Sequence, residues 1–140
     1  INHYHVKPNF TAEIPKLIRI PNRIFEKETK ALVDTGAAAS LISSSLNFNI
    51  SDKNLNQIKN TDDPIFRTVS GQELKSLGQY EFKITINKNH LINHNFYVME
   101  NLNKNCSLGL DFLASNNVKI NTKNKQISYD HYGVEHSFSE

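Results

Sequence analysis

Asp34 directly follows the apolar run Ala31-Leu32-Val33 and is followed by Thr35, Gly36 and Ala37. A strand buried up to residue 33 delivers this carboxylate into poorly solvated surroundings, where it costs free energy unless a group pairs with it or a reaction uses it. The chemistry open to it is proton transfer, because an ionised carboxylate takes a proton from water and a neutral one donates to a carbonyl oxygen. Asp-Thr-Gly also suits a tight turn, so the tripeptide alone leaves both roles open. The other reactive residues offer less. His90 and His94 have the spacing of a helical metal pair, but they flank a strand, where residues four apart lie about 13 Å from each other, too far for one ion. His3, His5, His131 and His136 sit near the ends of the chain. Cys106 has no partner histidine marked by the sequence and reads as a small buried hydrophobe. Phe96 and Tyr97 read as core and surface of a strand rather than a stacking platform for bases. No metal site and no cofactor is expected.

The elements that must position Asp34 are mostly strands. An edge strand is expected over Ile14 to Ile20, bracketed by Pro15 and Pro21, followed by a charged connection at Glu26-Lys27-Glu28 and a short buried strand at Ala31 to Val33. Leu41 to Leu46 reads as a strand, and the polar stretch Asn47 to Asp63 as a loop with a short helix. A strand at Ile65 to Val69 runs into a Ser70-Gly71 turn. Tyr80, Phe82, Ile84 and Ile86 alternate strictly with polar neighbours, and after a turn at Asn87 to His90 so do Ile92, His94, Phe96 and Val98, which predicts an antiparallel hairpin. Leu110 to Asn116 predicts a short helix with Asp111 in its first turn. Val118 to Ile120 and Gln126 to Tyr129 predict a last hairpin. The expected class is all-β with one short helix.

At 140 residues the chain fits one ordinary domain. Its first residue is Ile rather than Met, so it reads as a piece of a larger product. Residues 1–13 are taken as an N-terminal extension, 14–129 as the domain, and 130–140 as a polar tail that is either disordered or at a subunit interface. Sixteen Lys and Arg against 14 Asp and Glu leave a net charge of +2. The signs are interspersed, which lacks the clustering a nucleic-acid partner needs. No stretch approaches the roughly 20 apolar residues of a membrane span. A single cysteine excludes an intrachain disulfide and suits a reducing compartment, so a cytoplasmic location is expected.

The string Ala31-Leu32-Val33-Asp34-Thr35-Gly36-Ala37-Ala38-Ala39-Ser40-Leu41-Ile42-Ser43 resembles the active-site loop of retropepsins, the aspartic proteases of retroviruses and LTR retrotransposons. A hairpin turning at Ser70-Gly71 stands where that family has its flap, and Leu108-Gly109-Leu110-Asp111-Phe112-Leu113 is similar to its glycine-containing segment before the single helix. The wording of that segment is most like gypsy-type elements. The similarity spans roughly Ile14 to Tyr129, and three short motifs in the right order are far more specific than any one of them.

The resemblance implies a closed β-barrel-type acid protease fold with a flap hairpin and a short C-terminal helix, assembled as a homodimer. It implies that Asp34 is catalytic, that Thr35 locks the two subunits' loops together, and that Gly36 offers its carbonyl to an extended peptide or polyprotein substrate. Of the six Asp, only Asp34 lies in an Asp-Thr-Gly context, so the second carboxylate comes from another copy across a twofold axis. Leu32, Ala37, Ala38, Leu41, Ser107 and Leu108 are the implied pocket residues, and Val69, Ser70, Gly71 and Gln72 the implied flap tip. Ser107 makes the pocket wall more polar or roomier than the usual apolar pair before Gly109. Lentiviral relatives have two aspartates after the alanine and an arginine opening the helix. Here Ala38, Ala39 and Leu110 take those places, so both partners of that ion pair are missing together. Ala37 cannot donate a hydrogen bond as a serine would, which places the acidic limb of activity at higher pH than in a serine-containing counterpart.

The expected activity is therefore peptide hydrolysis, in the setting of a Gag-Pol-type polyprotein. The alternatives are a retropepsin-like module that dimerises or binds peptides without cutting them, and a cellular protease domain of the same fold within a larger protein.

Overall fold

The computed structural model describes residues 19–24, 27–46, 55–59, 64–68, 70–86, 90–124 and 126–139. Twelve strands and one short helix make up these segments: β1 (Arg19–Ile24), β2 (Lys27–Val33), β3 (Leu41–Ser43), β4 (Asn56–Ile58), β5 (Phe66–Arg67), β6 (Glu73–Leu74), β7 (Ser76–Ile86), β8 (His90–Met99), β9 (Cys106–Leu108), α1 (Leu110–Ser115), β10 (Lys119–Asn121), β11 (Gln126–His131) and β12 (Val134–Ser139). A single 3-10 turn, Ser44–Leu46, follows β3. The fold is mostly β, as the alternating patterns predict.

The main sheet has the order β1-β2-β9-β3-β8-β7-β4, and β1 pairs with β7 as well, so the pairings return on themselves. Its backbone is the long β7–β8 hairpin, in which Tyr80 faces Phe96, Phe82 faces His94 and Ile84 faces Ile92. Alternate residues of a strand share one face, and here Tyr80, Phe82, Ile84, Ile86, Ile92, Phe96 and Val98 are buried on it. The Phe82 and Phe96 rings meet edge to face at 5.7 Å. Each such side chain contributes about 1.5–3 kcal/mol when fully removed from water. Val33, Ile42, Cys106, Leu108, Phe112, Ile127 and Tyr129 complete the same cluster.

The structure departs from the sequence expectations at several points. Strand β1 runs through Pro21 instead of ending there, with Pro21 opposite Lys30; its second partner, β7, reaches only Asn22 to Ile24. Pro21 therefore occupies a position with one neighbouring strand, where a missing N–H is tolerated. Residues 14–18 lie outside the described residues. Lys27 and Glu28 belong to β2, which is seven residues long rather than three. The strand expected over Leu41 to Leu46 stops at Ser43. In the stretch read as a loop with a helix, the described part, residues 55–59, contains strand β4 on β7. The strand expected at Ile65 to Val69 is reduced to Phe66–Arg67, Val69 lying outside the described residues. Residues 130–139 are not a structureless tail: β11 extends to His131 and pairs along its length with β12. Tyr132 and Gly133, at φ 51° and 78°, form the two-residue turn between them, the left-handed geometry that tight hairpins favour. No helix among the described residues is long and apolar enough to cross a membrane.

Candidate active site

Two parallel strands end side by side. Strands β2 and β9 pair with Val33 opposite Leu108, so Asp34 and Gly109 leave the sheet at the same level. The Asp34 N–H donates to the Leu108 carbonyl at 2.9 Å. Just beyond, the Gly36 N–H donates to Asp34 Oδ1 at 3.0 Å and the Ala37 N–H to the Asp34 carbonyl at 3.2 Å. Asp34-Thr35-Gly36 is thus a turn that holds a half-buried carboxylate at the end of a buried strand. The tripeptide is the tight turn its sequence suits.

A second set of bonds closes the loop 37–40 onto the start of α1. Leu110 N–H donates to the Ala37 carbonyl at 2.8 Å and Asp111 N–H to that of Ala38 at 3.2 Å. Ser40 Oγ donates to Asp111 Oδ1 at 2.7 Å and accepts from the Gly109 N–H at 3.0 Å. The Asp111 carboxylate also accepts from the Ser40 N–H, the Phe112 N–H and His94 Nε2, at 3.1, 2.7 and 3.1 Å. Burial alone would raise the Asp111 carboxyl. The hydrogen bonds from His94 and Ser40, the charge of His94 and the Phe112 N–H outweigh it and hold the group below its ordinary range. His94 is wedged edge-on between Phe96 and Phe112, with ring centroids 5.3 and 5.1 Å away.

Sequence reasoning missed this network. It took Asp111 as a helix-start carboxylate and found no replacement for the lentiviral ion pair. In the structure Asp111, Ser40 and His94 supply one, tying the loop after Asp34 to the helix. The available signal was Ser40, the one hydroxyl between Ala37 and Leu41, but its side-chain partners Gly109 and Asp111 lie 69 and 71 positions away.

Asp111→Asn should lower the unfolding free energy by about 1–3 kcal/mol at pH 6, because the amide NH₂ faces donors that then lack an acceptor. A carboxyl held below its ordinary 3.8 contributes stability that is fully present above that pH and lost as pH falls through the folded-state value. The difference from wild type should therefore shrink between pH 6 and pH 3, read as urea midpoints. An equal difference at both would place the effect in packing.

The remaining site candidates are spread between surface and core. Thr35 and Gly36 are half-buried beside Asp34, Leu32 is half-buried, and Ala38 is exposed. Ala37, Leu41, Ser107 and Leu108 are sealed within the single chain. Ser107 Oγ has no hydrogen-bond partner among the described residues. Ser70, Gly71 and Gln72 are exposed at the tip of the β5–β6 hairpin. There the Thr68 N–H donates to the Gln72 carbonyl and the Gly71 N–H to that of Thr68, at 2.8 and 2.9 Å. The base of this hairpin packs through Phe66 onto Leu41 and Met99, so it is anchored beside the strand that follows the Asp34 loop.

A family profile described as aspartyl protease matches residues 20–112, from β1 into α1. The fold is similar to the crystal structure of the retroviral protease-like domain of Ddi1 from Leishmania major, with a TM-score of 0.59 and 18% identity over 84% of this chain and 88% of that one. It is also similar to EIAV protease complexed with the inhibitor HBY-793, with a TM-score of 0.50 and 19% identity over 70% of this chain and 86% of that one. No curated protein sequence matches significantly.

Proposed function

Since the chain belongs to the aspartyl protease family, we propose that it is a retropepsin-like peptide hydrolase working as a symmetric homodimer, with Asp34 of each copy forming the catalytic pair. The observation that carries this is Asp34 itself, fixed by Gly36 and Leu108 at the end of a buried strand, the one Asp in an Asp-Thr-Gly context. Peptide hydrolysis by this route needs two carboxylates sharing one proton. The ionised one takes a proton from water as the water attacks the carbonyl carbon; the neutral one donates to the carbonyl oxygen. Like charges side by side resist simultaneous ionisation, which keeps the single proton between them.

In this scheme Thr35 joins the two loops, Gly36 accepts from the substrate backbone, and the exposed tip at Ser70, Gly71 and Gln72 is the flap that excludes water. The peptide binds extended, as an added strand. The pairing of β1 with both β2 and β7 supports the closed-barrel form of the fold. Leu32 and Ala38 present pocket surface, while Ser107 sits behind it.

Processing of a Gag-Pol-type polyprotein from a gypsy-like element, in the cytoplasm or within virus-like particles, is the setting we favour from the sequence motifs. The likeness to a Ddi1 domain supports a second one, a protease domain inside a cellular protein. A reverse transcriptase encoded in the same reading frame separates the two.

The experiment is peptide cleavage across a dilution series. Far below the dimer dissociation constant, which sedimentation measures separately, activity per chain should fall about tenfold for each tenfold dilution. Activity per chain that stays constant there overturns the shared site, and no cleavage of any member of a diverse peptide library overturns the enzyme in favour of a binding module.

A further inference from the structure

Three metal-ligating side chains converge away from Asp34: His90 at the start of β8, and His131 and His136 on the β11–β12 hairpin. Each offers a ring nitrogen, and the three lie within 4.8 Å of one another. The hairpin register produces this arrangement. Tyr129 is opposite His136 and His131 opposite Val134, so His131 and His136 are diagonal neighbours on one face. The start of β8 is held against that face: His131 Nε2 lies 3.3 Å from the Leu91 carbonyl oxygen, and the buried Tyr129 hydroxyl is hydrogen-bonded to His90 Nδ1. The His90 ring stands 4.5 Å from that of His131 and 4.2 Å from that of His136, centroid to centroid.

Three imidazoles without a carboxylate among them suit a borderline-soft divalent ion. Zinc takes imidazole nitrogens at about 2.0–2.1 Å, which sets tetrahedral ligands about 3.3 Å apart. The present spacing, up to 4.8 Å, must shorten by about 1.5 Å for the three to share one ion. We propose that His90, His131 and His136 bind one divalent transition-metal ion, Zn²⁺ foremost, which fastens the C-terminal hairpin to the start of β8.

The surroundings match what such ligands require. One nitrogen of His90 is engaged by Tyr129 and one of His131 by the Leu91 carbonyl, leaving each ring a second nitrogen in a fixed orientation. The ion acts on stability rather than on peptide hydrolysis. Strand β8 meets β3, the strand after the Asp34 loop, only from Tyr97 onward, about 23 Å along the strand from His90. Ring packing by itself gives no preference for a cation, and that difference is what a titration reads.

The test is Zn²⁺ alone, titrated calorimetrically into tag-free protein. One equivalent should bind, and free Zn²⁺ at 100 times the dissociation constant should raise the folding equilibrium constant about a hundredfold. His131→Ala and His136→Ala should each weaken binding at least about tenfold, while the double variant His3→Ala/His5→Ala binds as wild type does. Ring-proton NMR of the wild-type chain reads the same site without substitution: the signals of His90, His131 and His136 should move with Zn²⁺, and that of His94 should not. Absence of saturable binding, wild-type affinity in the His131→Ala and His136→Ala variants, loss confined to the His3/His5 variant, or movement only of other histidines would each overturn the proposal.

Discussion

Asp34→Asn should give a chain that folds and dimerises like wild type but cleaves peptide with a kcat/KM lower by roughly 10²–10⁴-fold, the contribution of positioned acid–base groups. Asparagine has nearly the shape of aspartate, and its amide oxygen still accepts from the Gly36 N–H. The backbone bond from residue 34 to the Leu108 carbonyl does not involve the side chain. What is lost is chemical: an amide neither removes a proton from water at neutral pH nor shares one with its symmetry mate. In the proposed homodimer both active-site residues come from the same gene, so the substitution removes both carboxylates together and no intact half remains. The measurement is steady-state cleavage of one peptide, beside sedimentation and thermal unfolding. Undiminished cleavage would remove Asp34 from catalysis, and loss of activity together with loss of the folded dimer would make its role structural.

Local patterning made much of this molecule readable. Strict alternation in β7 and β8 is a direct consequence of one face meeting the core, so Phe82, Ile84 and Phe96 were legible as buried. Asp34 was legible because a carboxylate ending an apolar strand is locally anomalous. What escaped is non-local. Pro21 looks like a strand terminator until β7 is known to pair only from Asn22. Strand β4 has two exposed residues of three, so no burial pattern betrays it; it exists because β7 offers an edge. The two left-handed residues Tyr132 and Gly133 turn a polar tail into a hairpin, though Gly133 alone hinted at a turn. His90 and His94 have the spacing of a helical metal pair but flank a strand that holds them apart, and the fold sets His94 against Asp111 and His90 against His131 and His136.

The seam between the Asp34 loop and α1 rests on Gly109, and Gly109→Ala should be far more damaging than Gly71→Ala. The Gly109 backbone has φ −92° and ψ −170°, open to any residue, so dihedral strain is not the reason. The reason is contact. A β-carbon there would lie 2.5 Å from the Ala39 carbonyl oxygen, 2.7 Å from its carbon and 2.8 Å from the Ala37 oxygen, all backbone atoms without a rotamer to yield. Moving the two segments apart would break the bonds from Gly109 N–H to Ser40 Oγ and from Leu110 N–H to the Ala37 carbonyl, and would draw Asp111 away from Ser40. The expected destabilisation exceeds about 4 kcal/mol, a large fraction of the 5–15 kcal/mol typical of a whole domain. Gly71→Ala is the contrast: φ is +92° but nothing lies within 4 Å of the added carbon, so dihedral strain alone applies, at about 1–3 kcal/mol. Urea midpoints of the two variants at unchanged slope make the comparison. If Gly109→Ala unfolds no more easily than Gly71→Ala, the loop and helix can separate at little cost, and the placement of Asp34 must then depend on its bond to Leu108 rather than on this seam.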